Sequence, residues 1–286
     1  MTAPELQIHR SPPLRSLYTC VIALITLLCS GLATVQAAPV YSHAKIAQKA
    51  GQYDALLRQT NKVRASKRKA LMRAGMARFY GKDYNKAIDK FAAAYVAGAG
   101  TPALLKLAAS HLNATTKTYQ ERYAYPERAA SAAYLAYKSA TSDKDRAQAL
   151  KILGYAFMRR SRGREALTAL KASLAHLEQH ETRAKYNELY KEYGFRMVDY
   201  NIDSDSVSPR LCINFSEKLK KSEDYAKYIV QQGNDKPAVT MSNRQLCIEG
   251  LQHGLRYKVK LRAGLPAQIE DDLKKNVELS VYVKDR

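Results

Sequence analysis

The chain has 286 residues, enough for two cores, and carries 47 Lys and Arg against 26 Asp and Glu, a formal net charge of +21. That balance favours anionic partners. Cys212 and Cys247, the two cysteines beyond the N-terminal region, have no second Cys or His at ligand spacing, which argues against a zinc site.

In chain order, Arg10 and Arg15 precede an apolar run from Val21 to Ala33, followed by Val35-Gln36-Ala37 and then Ala38-Pro39. A charged lead, a short apolar stretch and a small-x-small site describe a secretory signal, residues 1–37, cut near Ala37. The run is shorter than the roughly 20 residues that span a bilayer. Leu28 is too large for the residue expected before a lipidated cysteine at Cys29. No later segment reads as a membrane span. The protein is therefore expected to be periplasmic or secreted, with no nucleic-acid partner. Anions met outside the cytoplasm are lipid headgroups, lipopolysaccharide phosphates, teichoic acids and acidic protein surfaces.

Residues 38–194 hold 29 Lys and Arg against 12 Asp and Glu, whereas residues 195–286 hold 16 against 13. The hydrophobic period changes at the same place, near Gly194. The expected fold class is α+β with two domains: a helical repeat array at 38–194 and a small antiparallel β-sandwich at 195–286.

Eight helices are expected, near 42–59, 66–80, 84–97, 102–113, 126–141, 144–161, 164–178 and 181–193. Asp83, Thr101-Pro102, Pro126 and Asp143 supply start signals. Residues 114–125 are expected to be a long Tyr-rich connection. Two helix pairs share a spacing. Gly75 is followed by Ala87, Phe91 and Ala94, and Gly154 by Ala166, Leu170 and Ser173. Small residues at these places let antiparallel helices approach, with a larger apolar side chain between them. With Leu71 and Leu150, the pattern resembles the tetratricopeptide repeat. The match is partial: Phe157 is displaced, and the terminating proline comes late, at Pro102. Tyr80, Tyr84, Tyr95, Tyr134, Tyr137, Tyr155, Tyr186 and Tyr190 fall at helical spacing and are expected at helix–helix seams.

Two basic clusters are candidate anion- or partner-binding sites. Lys67, Arg68 and Lys69, with Arg64 and Arg73 nearby, open the second helix. Arg159, Arg160, Arg162 and Arg164 fill the turn of the second helix pair. A solvated surface is the alternative for both.

Beyond Gly194, short alternating runs near 195–202, 210–216, 225–231, 238–241, 245–249, 256–262 and 277–283 read as strands. In one, Tyr257, Val259 and Leu261 face one way and Arg256, Lys258, Lys260 and Arg262 the other. Cys212 and Cys247 both sit opposite the apolar stripe of their strands. In an exported chain this even pair points to one disulfide on the outer side of a sheet, with two free thiols as the alternative.

Gly194-Phe195-Arg196, Ser208-Pro209-Arg210-Leu211-Cys212, Asn214-Phe215-Ser216-Glu217, Gln245-Leu246-Cys247-Ile248-Glu249-Gly250-Leu251, His253-Gly254, Tyr257, Arg262-Ala263-Gly264-Leu265-Pro266 and Tyr282-Val283-Lys284-Asp285-Arg286 resemble the N-terminal region of bacterial alpha-2-macroglobulin family proteins. The resemblance implies macroglobulin-type β domains and an exported protease-inhibitor setting. Its partners would be further macroglobulin-like domains or a protease. The family's bait and thioester regions have no counterpart here, and Cys247-Ile248-Glu249-Gly250 lacks the glutamine of a thioester. His176-Leu177-Glu178-Gln179-His180 has its Glu misplaced for a zinc protease. No enzyme activity and no cofactor are expected. The expected function is a non-enzymatic exported scaffold. The alternative is an envelope adaptor that binds a peptide or an anionic envelope component.

Overall fold

The computed structural model describes residues 40–233, 237–269 and 271–285. The expected signal segment, with Cys20 and Cys29, lies outside the described residues, as do residues 234–236 of the expected Gly-Asn-Asp-Lys-Pro loop. Helices come first and antiparallel strands follow, so the chain is α+β. The helices are α1 (Ala44–Thr60), α2 (Arg68–Tyr80), α3 (Tyr84–Ala94), α4 (Gly100–Asn113), α5 (Tyr119–Ser139), α6 (Asp143–Met158), α7 (Gly163–His176) and α8 (His180–Tyr193). The strands are β1 (Met197–Asp203), β2 (Arg210–Phe215), β3 (Ile229–Gln231), β4 (Val239–Ser242), β5 (Gln245–Ile248), β6 (Arg256–Leu261) and β7 (Val277–Tyr282).

Successive helices pack on one another from α2 to α8. The glycines set the spacing. A Cβ on Gly75 would stand 2.6 Å from Cε1 of Phe91, and one on Gly154 would stand 2.7 Å from Cδ2 of Leu170. Ala87, Phe91 and Ala94, like Ala166, Leu170 and Ser173, are fully buried. The connecting turns also match. Lys82 and Ser161 both take a positive φ. Asp83 donates its backbone N–H to Arg78 at 2.9 Å, and Arg162 donates to Phe157 at 3.0 Å. Each pair is 79 positions apart in the sequence.

Three expectations along the helices are corrected. The fifth helix begins at Tyr119, not Pro126. Thr118 accepts from the Glu121 backbone N–H, and Glu121 accepts in return from the Thr118 N–H, a capping box that starts the helix two turns earlier. The Tyr-rich stretch is therefore mostly helix, with Pro126 inside it. Ser142, not Asp143, caps α6 by accepting from the Asp145 N–H. Tyr80 is 70% exposed rather than seated in a seam.

Against the expectation that no later segment reads as a membrane span, Tyr84–Asn113 is long and apolar enough to cross one by length and composition. It is broken at Gly98 and Gly100, both at positive φ, and α4 packs back on α3. Phe91, Leu104 and Leu107 are buried in the helical core, which is how such a composition arises in a folded hairpin. Helix α1 lies against α5 and buries Ile46, Ala50, Tyr53 and Leu57, one stripe at helical spacing.

The strands form a four-stranded sheet ordered β1-β2-β5-β4 and a three-stranded sheet ordered β3-β6-β7. Apolar residues of both sheets meet in one cluster: Leu211, Ile213, Leu246 and Ile248 from the first, and Ile229, Val259, Leu261 and Val281 from the second. On β6, Arg256 and Lys258 are exposed and Lys260 is half-buried, so the alternation read from the sequence holds. Cys212 and Cys247 are opposite each other on β2 and β5 with Cα atoms 4.0 Å apart, and they form a disulfide. They lie on the face away from the shared apolar cluster, as the alternation requires.

Candidate functional site

The arginine-rich turn between α6 and α7 is where helices and sheets meet. Its four arginines do not act together. Arg160 donates to Glu127 at 3.0 Å and to the Tyr123 carbonyl at 2.9 Å. Lys49 approaches the same carboxylate at 2.6 Å. Arg162 bonds Glu165 at 2.7 Å and lies over the Phe157 ring. Arg164 reaches away to Glu217 at 2.9 Å and Asp271 at 3.3 Å. Arg159 alone is exposed with no ion pair among the described residues.

Partial burial opposes ionisation of Glu127, but hydrogen bonds and charge from Lys49 and Arg160 outweigh it and hold the carboxyl below its ordinary range. At Glu165 burial is likewise outweighed, first by the Arg162 hydrogen bond and then by its own backbone N–H. Between α1, α5, α6 and α7 these groups line a cavity of about 310 Å³, with Lys45, Ile46 and Phe157 among its walls. Four cations and two carboxylates leave it mildly positive.

Asp271 is the node that ties the helices to the β part. Its side chain is 8% exposed. It accepts from Arg164 at 3.3 Å, from the Tyr190 hydroxyl at 3.2 Å and from the Phe195 backbone N–H at 3.2 Å. The Tyr190 hydroxyl also reaches the Asp272 carbonyl at 2.9 Å. Burial, and then the Asp271 charge, push the Tyr190 phenol well above its usual pKa. With the Asp272 backbone N–H as a fourth donor, at 3.0 Å, the carboxylate is well compensated for its loss of water. Beside it is a second cavity of about 530 Å³, lined by Tyr41, Arg164, Lys171, Tyr186 and Asp271 among others.

Lys67, Arg68 and Lys69 all lie exposed where a 3₁₀ turn, Ala65–Lys67, enters α2. No side chain caps this helix. Sequence reading passed over one group. His111 is 2% exposed and its Nε2 is 2.7 Å from the Tyr53 hydroxyl, while Nδ1 has no partner among the described residues. Burial, and then the Arg128 charge, lower its pKa to about 3. The only sequence signal was a histidine on the apolar face of α4. His176 bonds Asp143 at 3.0 Å. No cluster of three potential metal ligands occurs among the described residues.

The sequence matches no protein-family model and no curated protein, and the fold matches no solved structure.

Proposed function

We propose that the chain is a non-enzymatic, exported scaffold in which a tetratricopeptide-like helical array carries a macroglobulin-type β-sandwich. The Asp271 node supports this reading most directly, because it ties the last helices and the first strand into one body. The matched Gly75–Phe91 and Gly154–Leu170 contacts, with their matched turns, support the repeat reading of the array. Two antiparallel sheets with a shared apolar cluster and a cross-strand disulfide support the sandwich and an oxidising compartment. The kinship with the N-terminal region of bacterial alpha-2-macroglobulin proteins rests on the residues of that β part.

The docking element in this reading is β1. It is an edge of its sheet, and Val198 and Tyr200 on it are 57% and 43% exposed. An open edge with apolar side chains pairs readily with another β domain. The partner is then a further macroglobulin-like domain or a protease.

Fusing residues 1–45 to alkaline phosphatase, which is active only outside the cytoplasm, tests export. Blue native electrophoresis of a gently solubilised envelope extract tests the scaffold. Phosphatase activity together with a band well above the monomer mass supports the reading. An inactive fusion, or a chain that migrates only as a monomer, contradicts it.

A further inference from the structure

We infer that the segment from Lys62 to Tyr80 is a docking surface for an anionic phospholipid membrane. Residues 61–82 hold eight cations and no Asp or Glu. Six of them, Lys62, Arg64, Lys67, Arg68, Lys69 and Arg73, are exposed, and none has an ion pair among the described residues. Within the segment Arg78 pairs with Asp83, and elsewhere in the helical part about half of the cations pair with acids: Lys49 and Arg160 share Glu127, Lys86 pairs with Asp83, and Lys151 pairs with Glu181.

The local fold keeps these charges together and uncompensated. On α2, Lys69, Arg73 and Tyr80 follow one exposed side at i, i+4 and i+11. The small Ala70 and Ala77 on that side are also exposed, which keeps its profile low. Phe79 lies under the Lys106 ammonium, 4.5 Å from its ring centre, so the neighbouring surface adds another positive group. Charge at the start of α2 has the same sign as the helix macrodipole there, an arrangement that an anionic counter-surface relieves.

The arrangement fits an extended anionic surface better than a single phosphate. The cations are spread along a turn and a helix, separately solvated, rather than converging on one point. Tyr80 at the end of the stripe is an amphipathic ring of the kind that settles at a lipid headgroup layer. Clusters of four to eight basic residues attract anionic leaflets additively. The choice of lipid over nucleic acid rests on the export reading above. The positive surface itself does not.

The test uses residues 39–286, which form a compact unit of their own. Its partition is measured by co-sedimentation with phosphatidylcholine vesicles, with and without about one-third phosphatidylglycerol, at low and high salt. A variant carrying Lys67→Ser, Arg68→Ser, Lys69→Ser and Arg73→Ser is compared with one carrying Lys218→Ser, Lys220→Ser, Lys221→Ser and Lys275→Ser. The two have the same net charge, and circular dichroism checks that both fold. The expected result is salt-sensitive binding to the anionic vesicles only, weakened at least about tenfold in the first variant and little changed in the second. Equal loss in both variants, or no loss in the first, overturns the site. Binding to a single-stranded RNA oligonucleotide without vesicle binding overturns the lipid assignment. Because the phosphatase fusion is read separately, an active fusion with no vesicle binding sinks this inference alone. An inactive fusion with vesicle binding sinks the export reading alone.

Discussion

A methyl group added to Gly75 would sit 2.6 Å from the ring of Phe91, and the equivalent addition to Gly154 would sit 2.7 Å from the end of Leu170. Phe91 is fully buried and its ring has little room to swing aside. Overpacking of this kind costs about 1–3 kcal/mol, and Gly→Ala returns up to about 1 kcal/mol in helix propensity. Gly75→Ala is therefore expected to lower the urea midpoint, and Phe91→Leu in the same chain is expected to restore part of it. A double-mutant cycle measures this. Additive effects would mean that the two side chains do not compete for the same space.

At the junction of helices and sheets Asp271 gathers four donors: Arg164, the Tyr190 hydroxyl and the backbone N–H groups of Phe195 and Asp272. Asp271→Ala leaves the Tyr190 hydroxyl its carbonyl partner and leaves Arg164 its bond to Glu217. Breaking a buried charged pair costs about 3–5 kcal/mol, and the surviving bonds reduce that to an expected loss of about 2–3 kcal/mol. Limited proteolysis should then cut faster around residues 194–196. An unchanged cleavage rate would show that Asp271 does not hold the junction.

The buried His111 gives the fold an acid limit. Its folded pKa is about 3 against an ordinary 6.5. Between those values the unfolded chain binds a proton that the folded chain refuses. The contribution to stability is thus complete above about pH 6.5 and falls as the pH is lowered towards about 3. The slope approaches roughly 1.4 kcal/mol per pH unit within that window. Urea titrations from pH 7 to pH 4 should show a flatter profile for His111→Asn than for the parent chain.

The Cys212–Cys247 bridge spans 35 positions of the chain. In the chain-entropy model such a loop contributes about 3–4 kcal/mol. Non-reducing peptide mapping should recover the two cysteines joined, and reduction should lower the thermal midpoint. A midpoint unmoved by reduction would place the stabilisation of the sheets elsewhere.

Local patterning made much of the fold legible. Gly75, Ala87, Phe91 and Ala94 marked a helix contact before any contact was visible, because close approach demands small residues at fixed offsets. The alternation through Tyr257, Val259 and Leu261 marked β6 and its buried face for the same kind of reason. Pro126 misled because proline favours the first turn of a helix, whereas here it sits in the interior at a cost and the Thr118–Glu121 capping box sets the start. The arginine turn was legible as charge but not as pairing. Glu127, Glu217 and Asp271 lie 33 or more positions away from their partners in the sequence, and only the fold brings them near. The setting of His111 was unreadable for a similar reason, since its partner Tyr53 lies 58 positions away in the sequence.

The scaffold account is tested most directly by replacing Tyr200 on the open edge of β1 with a photo-cross-linking phenylalanine analogue in living cells, with the exposed Tyr119 as the comparison site. The account predicts a light-dependent adduct at Tyr200 whose partner is an exported protein with macroglobulin-type β domains or a protease, and a much weaker one at Tyr119. No adduct at Tyr200, or equal labelling of the two sites, would contradict it.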